Sequence, residues 1–387
     1  MRKKLLFITP AIYANTSSGG LHVSLERLTC LAKIADVTVL TVAADDEAKN
    51  RFRDVQWITA GGLRARGVLN LLRSYMAGLP LSVWRNTSSA LIEKAKEINS
   101  QEFDIAYIDH WLLGEAALVS AAKYKVLHLH NAEPEIFERA SRNTSMLASI
   151  VLRREAKRCA AYLRNLQRHV DEIHLLSEDD KLCLASRGIN HARTHIFLPS
   201  VESQCIHPRP FSERDHSTLF VGTLSWHANQ EGLHWYARSV LPNISNAIRL
   251  DVVGGGADKA LQNELTSHAN VNMHGYVHDL EIFYSKSKCL VAPLLSGSGI
   301  KIKILHALAK GLPVITTTTG VEGFPSGYEG AVLVSDDPVE FAKIVRDVLE
   351  DEESWATASL AAQNYCRKYF SGIAWANWVK NSPAADQ

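Results

Sequence analysis

The sequence predicts an α/β protein built as two doubly wound domains, and three observations predict it. Short apolar runs of strand length alternate with longer segments of helical periodicity along most of the chain, the pattern of parallel sheets covered by helices. At 387 residues the chain exceeds one usual core, so two domains are expected. Between the two βα series lies residues 203–217, with Pro208, Pro210, charges and few apolar residues, the composition of a linker. The expected division is 1–200 for the first domain, 201–365 for the second and 366–387 for a helical tail packing back on the body.

The first series opens with a strand at 5–9. MRKK followed by LLFITPAIYA has the charged and apolar regions of a signal peptide, but the apolar part is short and interrupted by Pro10. A first strand leading into a glycine loop explains it better. Residues 11–20 read as a polar loop ending in Ser-Ser-Gly-Gly, 21–35 as an amphipathic helix and 37–42 as strand two, which makes a βαβ unit. A short strand follows at 55–59, then helices at 63–77 and 88–100 joined through Leu79-Pro80-Leu81. Strands at 105–108 and 125–129 end in Asp109-His110 and His130-Asn131. Ligands of open α/β sheets bind beyond the carboxyl ends of strands, so these polar residues are placed for chemistry. Residues 137–169 form a long helical region rich in arginine: Arg139, Arg142, Arg153, Arg154, Arg158, Arg164 and Arg168, with Lys157. It reads either as a solvated surface helix or as a basic amphipathic surface for anionic lipid head groups or a polyanionic acceptor. After a strand at 172–176, Ser177 and three acidic residues start a helix.

The second series begins with a strand at 219–221, then Gly222-Thr223 and a helix running to Val240. A strand at 249–253 ends in Gly254-Gly255-Gly256, followed by a helix at 257–267, a strand at 271–274 and a helix at 280–287. Next comes CLVAPLLSGSGIKIKILHALAKGLPVITTTTGVEGF, residues 289–324. It reads as a strand at 289–295, a break at Gly297-Ser298-Gly299, a helix at 300–310 ended by Gly311 and Pro313, and a strand at 312–317. Helices at 340–350 and 353–370 and a short tail with Trp375 and Trp378 complete the chain. A Gly-rich loop feeding a helix presents backbone N–H groups and the positive end of the helix dipole, which suits a diphosphate. Lys301 and Lys303 add cations. An ordinary turn with two solvated lysines has the same local look. Glycine loops also follow Val253 and occupy 18–20, and together they point to a diphosphate ligand shared by two domains that each hold one substrate.

Composition narrows the function classes. The hydrophobic share of 46% and charged share of 21% are those of a globular protein, and a net charge of +1 argues against nucleic-acid binding. Six scattered cysteines without a C-x-x-C pair give no zinc or redox motif and read as reduced thiols of a cytosolic protein. No window offers the roughly 20 apolar residues of a membrane span. The expected localisation is cytoplasmic, with peripheral contact to the inner membrane face through the basic helix at 139–168.

In this order the motifs resemble those of the retaining glycosyltransferases of the GT-B fold, the large family-4 type. GSGIKIKILHALAKGLPVITTTTGVEGF is similar to the group's pattern G-x-G-x-[KR]-x-K-[ILV]-L-E-A-x-A-x-G-x-P-V-[IV]-x-T with its following G-x-E-G-[FL] loop. VGTLSWHANQEGLHWYARSVLP, DVVGGG, HGYVHDLEIFY, HNAEPEIFERA, LLSEDD and the SSGG loop support it. The resemblance implies two Rossmann-like doubly wound domains facing across a cleft, and transfer of a sugar from a nucleotide-sugar donor to a glycan or lipid-linked glycan. It implies no cofactor and no dedicated metal, and no D-x-D motif stands out. On the donor side it implies Gly222, Thr223, Asn229, Gly254, Gly255, Gly256, Val277, Gly297, Ser298, Gly299, Ile300, Lys301, Lys303, His306 and Glu322. His130 would sit by the anomeric carbon as the catalytic residue, with Gly19, Gly20, Asp109, His110, Asn131 and Glu133 on the acceptor side.

The sequence departs from the pattern in one telling place. The group commonly carries E-x7-E here, and this chain has Ser298 and His306 instead. A carboxylate accepts two ribose hydroxyl bonds and a neutral imidazole one, a loss of roughly 1–3 kcal/mol of donor binding. His306 therefore keeps open a catalytically weak nucleotide-sugar-binding subunit, beside an epimerase on the same fold.

Overall fold

The structure, a computed structural model, describes residues 2–14, 19–65, 67–201, 209–297 and 299–381. The chain forms two compact units, one of residues 1–16, 20–198 and 373–387, the other of 17–19 and 199–372.

In the first unit β1 (Lys3–Ile12) leads through α1 (Gly19–Ala32) to β2 (Ala35–Ala44), α2 (Asp46–Arg51) and β3 (Gln56–Thr59). Three helices follow, α3 (Val68–Met76), α4 (Leu81–Asn86) and α5 (Ser89–Glu97), then β4 (Ile105–Asp109), α6 (Gly114–Val119) and β5 (Tyr124–Leu129). The series closes with α7 (Glu133–Ala140), α8 (Met146–Leu166), β6 (Glu172–Leu175), α9 (Glu178–Ala185) and β7 (Thr194–Ile196). The seven strands order as β3-β2-β1-β4-β5-β6-β7 and pair parallel throughout. β1 is flanked on both sides, so Leu5, Leu6, Phe7 and Ile8 are all fully buried. The strand order reverses between β1 and β4, and a doubly wound sheet offers its ligand crevice at that point.

The second unit runs β8 (Asp215–Val221), α10 (His227–Trp235), β9 (Arg249–Val253), α11 (Lys259–Thr266), β10 (Val271–Gly275), α12 (Glu281–Lys286) and β11 (Ser287–Ala292). It ends with α13 (Ile302–Ala309), β12 (Val314–Thr316), β13 (Val332–Val334), α14 (Pro338–Glu350) and α15 (Glu352–Tyr369). Its six parallel strands order as β10-β9-β8-β11-β12-β13, with the reversal between β8 and β11. The last helix, α16 (Ile373–Asn381), belongs to the first unit again. Trp375 is buried there among Tyr107, His174 and Phe197, stacks on Trp378 and receives the Arg27 guanidinium at 4.4 Å from its ring centre. Arg27 is fully buried; it hydrogen-bonds the Phe197 carbonyl at 2.7 Å and pairs with Glu26 Oε1 at 3.1 Å, so its charge is met by a carboxylate, a carbonyl and a ring face.

Several boundaries moved for local reasons. Gly19 and Gly20 open α1 instead of ending a loop, while Ser17 and Ser18 lie outside the described residues. The helix read at 63–77 begins only at Val68, after Gly67 at φ 153°. Residues 81–86, read as part of a joint, are helical because Pro80 suits the position before a first turn. The long basic helix is broken: Thr144 and Ser145 are extended, which separates α8 from α7 and the single 3₁₀ turn after it. β8 starts inside the expected linker, and the expected tail boundary at 366 falls within α15. The edge strands β7 and β13 were unread, since three residues carry no periodicity.

Candidate functional site

At the reversal point of the first sheet, β4 ends in Asp109 and β5 ends one residue before His130. Residues two apart on a strand share a face, so His128 and the following His130 both turn toward Asp109. Asp109 Oδ1 accepts from His128 Nδ1 at 3.0 Å and His130 Nε2 at 2.9 Å, and Oδ2 accepts the Thr9 hydroxyl at 3.0 Å. Burial opposes ionisation of Asp109. The His130 charge and the bonds from both imidazoles outweigh it and hold the carboxyl well below the usual carboxylate range. Burial is also the first reason His128 is pushed well below the ordinary imidazole value, although Asp109 pulls the other way.

These bonds leave one nitrogen on each ring. His128 Nε2 and His130 Nδ1 are buried with no hydrogen-bond partner. Because Nε2 is engaged by Asp109, Nδ1 is the atom of the His130 ring left to meet a further polar group. That atom faces Gly20, where an added Cβ would come to 3.3 Å. The ligand atoms of Asp109, His128 and His130 lie within 4.8 Å of one another, close enough for a cation; in this structure those contacts are the two hydrogen bonds just described.

His110 and Glu133 border this group. His110 has φ 100°, a left-handed backbone that costs a non-glycine residue about 1–3 kcal/mol. The turn sets its ring 5.1 Å from that of His130 and its Nε2 3.6 Å from Glu133 Oε1. Burial lowers His110 to about 3, helped by the His130 charge, so it is neutral at ordinary pH. Burial raises Glu133 to about 7 against the His130 charge, so its carboxyl is partly protonated near neutrality. Asn131 stands next to them, and its carbonyl accepts the Glu133 N–H at 3.0 Å. Asp180, on the helix capped by Ser177, accepts the Ala132 N–H at 2.8 Å and pins this turn.

The second unit gathers its own set at the reversal between β8 and β11. Lys303 Nζ donates to Asn229 Oδ1 at 2.6 Å and lies 4.3 Å from the centre of the Phe220 ring. Asn229 Nδ2 donates in turn to the Thr223 carbonyl at 2.8 Å. An added Cβ on Gly222 would come to 2.7 Å from Asn229 Nδ2 and 3.1 Å from Lys303 Nζ, so glycine here is what lets the amine in. Burial lowers Lys303 to about 7, with Lys301 as a second cause. Among the described residues no carboxylate bonds this amine, so it is a desolvated cation without a countercharge.

The neighbouring loops close in around it. A Cβ on Gly254 (φ 154°) would strike the Gly222 carbonyl, so strand-end loops after β8 and β9 touch backbone to backbone. Gly256 sits against Ser225, and Gly255 against Tyr276, the residue before half-buried Val277. Gly297 and Gly299 both have positive φ, and Lys301 Nζ folds back on the Gly299 carbonyl at 2.7 Å. α13 then starts at Ile302 with no side-chain cap from Lys301, and the Ile304 N–H turns back to the Lys301 carbonyl at 2.9 Å. Gly323, next to Glu322, packs on the backbone of Gly299 and Ile300, where a Cβ would meet Ile300 N at 3.0 Å. His306 is half-buried one turn beyond Lys303 on the same helix. Ser298 lies outside the described residues.

The structure thus brings Gly222, Thr223, Asn229, Gly254–256 and Lys303 into one group, and Gly297, Gly299, Ile300 and Glu322 into an adjoining loop. Lys301 serves its own loop rather than the Lys303 group. Sequence reasoning missed Thr9 and His128; the alternation of HLHN on a strand was the signal for the second. It also missed Glu231, which accepts the Ser296 hydroxyl at 2.5 Å beneath the glycine loop.

Comparison with known proteins finds likenesses in sequence and in fold. Residues 215–351 match the family described as Glycosyl transferases group 1. An uncharacterized 44.6 kDa protein in the cps region of Klebsiella pneumoniae is 24% identical over 401 residues, covering 96% of this chain and 99% of the relative. Among solved structures, Anabaena HepE in complex with UDP-glucose superposes with a TM-score of 0.69 at 14% identity, over 98% of each chain. WaaG, a glycosyltransferase involved in lipopolysaccharide biosynthesis, gives 0.67 at 14% identity over 98% of this chain and 100% of its own. A variant of S. aureus TarM in complex with fondaparinux, alpha-GlcNAc-glycerol and UDP gives 0.71 at 11% identity over 98% and 100%. At such identities the likeness establishes the fold, two parallel-sheet α/β domains of the GT-B kind.

Proposed function

We propose that this chain is a glycosyltransferase of the GT-B type that retains the anomeric configuration of the sugar it moves from a nucleotide-sugar to a glycan or lipid-linked glycan; its fold and the group 1 match over residues 215–351 support the reading. Its setting in this proposal is cell-surface polysaccharide or glycoconjugate synthesis, on the cytoplasmic side and peripheral to the membrane. The relative from a cps region and the lipopolysaccharide role of WaaG support that setting. The observation that carries the proposal is Lys303, a half-buried lysine with a lowered pKa, held by Asn229 against Gly222 inside the matched segment.

In this reading the second unit holds the donor. Lys303 and the N–H groups at Gly299, Ile300 and the start of α13 take the diphosphate, and they favour departure of the nucleotide as negative charge grows on it. Gly222, Thr223, Gly254–256 and Val277 take the nucleoside side. Lysines and amides supply the positive charge that a metal supplies elsewhere. The first unit contributes His130 near the anomeric carbon, with Nδ1 meeting a hydroxyl and Asp109 fixing the ring. Gly19, Gly20, His110, Asn131 and Glu133 form the acceptor side.

The test is a binding and hydrolysis screen of UDP-, GDP-, dTDP- and CMP-sugars against the purified chain. One of them binds and is slowly hydrolysed; binding without any turnover, with or without acceptor, supports instead the donor-binding subunit that His306 suggests. His130→Ala lowers turnover far more than nucleotide affinity, and equal loss of both would assign His130 a structural role. For His306, replacement by Glu preserves or tightens donor binding, while Leu weakens it by roughly 3–10-fold, the value of one hydrogen bond. Unchanged affinity in His306→Leu would reduce the residue to packing.

A further inference from the structure

Two carboxyl groups feel the charge of His130, and their surroundings drive them apart. Asp109 is fully buried with both oxygens engaged, and it stays ionised. Glu133 has no such set of donors. Its ion-pair contact is His110 Nε2 at 3.6 Å, and among the described residues no lysine or arginine pairs with it. The backbone fixes its place. The Glu133 N–H donates to the Asn131 carbonyl at 3.0 Å, the Ala132 N–H before it donates to Asp180 at 2.8 Å, and buried Pro134 follows in the first turn of α7. A carboxylate in the first turn of a helix ordinarily gains from the helix dipole, so a carboxyl raised to about 7 at this position means that burial prevails over the dipole.

The other groups at these strand ends are unsuited to receive a proton. Asp109 is held as an anion, and burial holds His128 well below the ordinary imidazole value. Burial lowers His110 to about 3. Its Nδ1 accepts the Leu112 N–H at 3.5 Å, which puts the proton of the neutral ring on Nε2, the atom facing Glu133. His130 is committed to Asp109 at Nε2 and its side chain is 3% exposed, against 15% for Glu133. The remaining influences on Glu133 come from several elements. Burial is the largest and raises it; the His130 charge and the Trp111 and Asn131 side chains pull it down, and the Asp180 charge on α9 pushes it up. Cys159 faces it from α8, and burial keeps that thiol neutral.

We propose that Glu133 is the base of the acceptor side: its carboxylate takes the proton of the attacking hydroxyl, while Asp109 remains a fixed anion behind His130. This rests on the transferase reading and adds to it where the proton goes. The acceptor oxygen bonds to the anomeric carbon, and the bond from that carbon to the diphosphate oxygen breaks. The diphosphate keeps that electron pair and leaves as an anion. The hydroxyl proton ends on Glu133 and passes to water at its exposed edge. Two carboxyls whose environments separate them at one site divide into a proton carrier and a standing charge. His110 is a positioning residue here, its left-handed backbone at φ 100° holding the Nε2 N–H toward the Glu133 carboxylate.

The experiment follows hydrolysis of the UDP-, GDP-, dTDP- or CMP-sugar that the full chain turns over, with water as the acceptor, across pH and at saturating donor so that effects on donor binding drop out. The parent kcat rises about tenfold per pH unit up to about 7 and is level above it. Glu133→Gln lowers the plateau by roughly 100-fold and flattens the profile, while Glu133→Asp keeps the rising limb at an intermediate rate. Nucleotide-sugar affinity and melting temperature of Glu133→Gln stay at the parent values, because the amide has the shape of the protonated acid, and this reports an intact fold. An unchanged kcat in Glu133→Gln overturns the inference and leaves the proton to the departing diphosphate. A rising limb that survives in that variant overturns it in favour of the His130 ring. Infrared difference spectra of the ligand-free protein need no substrate: a protonated carboxyl band disappears with a midpoint at about pH 7 and is missing in Glu133→Gln. Absence of that band from the parent overturns the inference. A parent that hydrolyses no donor fails the transferase reading and this step with it; a parent that does, matched by Glu133→Gln, fails this step alone.

Discussion

Lys303→Met weakens nucleotide-sugar binding by roughly 10–100-fold, the value of a charge-assisted hydrogen bond to a diphosphate, and at the same time raises the thermal stability of the unliganded protein. The two effects have one cause. Lys303 is drawn to about 7 by burial, so its charged form is unfavourable in the empty site, and methionine fills the same space without that cost. The pH dependence has a definite sign. An unfolded lysine titrates near 10.4, so between 7 and 10 the unfolded chain holds the extra proton and stability rises with pH. The gain from Lys303→Met is therefore largest at or below pH 7 and shrinks toward pH 10. Donor binding runs the opposite way, because a bound diphosphate favours the protonated amine. Affinity for a nucleotide-sugar falls as pH rises above about 7, by up to tenfold per unit, and is flat in the variant. Titration calorimetry across pH reads this directly. Undiminished affinity in Lys303→Met would remove the residue from the donor site.

Asp109→Ala destabilises the first unit by about 3–5 kcal/mol, because it leaves the Thr9 hydroxyl and two imidazole N–H groups buried without their common acceptor. A melting temperature within a degree or two of the parent would show that water replaces the carboxylate at no cost. Asp109→Asn separates packing from charge. The amide keeps one acceptor oxygen and the shape, and the Thr9 hydroxyl can turn to receive the new N–H. Its stability falls less than that of the alanine variant. Turnover drops by roughly 10–100-fold, since the His130 ring loses the charged partner that fixes its tautomer and direction. Donor affinity stays unchanged, because the proposed donor groups belong to the other unit. Together with His130→Ala this pair distinguishes a held imidazole from a merely buried one.

Much of the protein was legible because its signals are local. Strands β1, β4, β5, β8, β9 and β11 are short apolar runs, and N-cap residues such as Ser88, Ser177, Asp258 and Asp337 mark helix starts within a few residues. The 289–324 stretch announced a strand, a glycine turn and a helix through its glycines and its apolar spacing. The edge strands β7 and β13 were not legible, since each is three residues held by a parallel neighbour rather than by its own pattern. The basic segment read as one helix because arginine and leucine continue across Thr144 and Ser145, where only the backbone turns aside.

By itself the sequence determined the two βα series, the positions of the glycine turns and the residue types at the strand ends, all properties of neighbours in the chain. Tertiary structure alone decided the partners. Lysines 301 and 303 are alike in sequence, yet one folds onto the Gly299 carbonyl and the other reaches Asn229, 74 positions away, and is desolvated there. Asp109, listed by resemblance with the acceptor side, became the anchor of His128 and His130 because parallel pairing of β4 and β5 sets its carboxylate against both rings. Arg158, one basic residue among several, became an internal strut once Glu155 and the Ser74 carbonyl were beside it. Burial and hydrogen bonding join residues far apart in the chain, so a side chain's charge, tautomer and direction are set by neighbours that only the folded sheet brings to it.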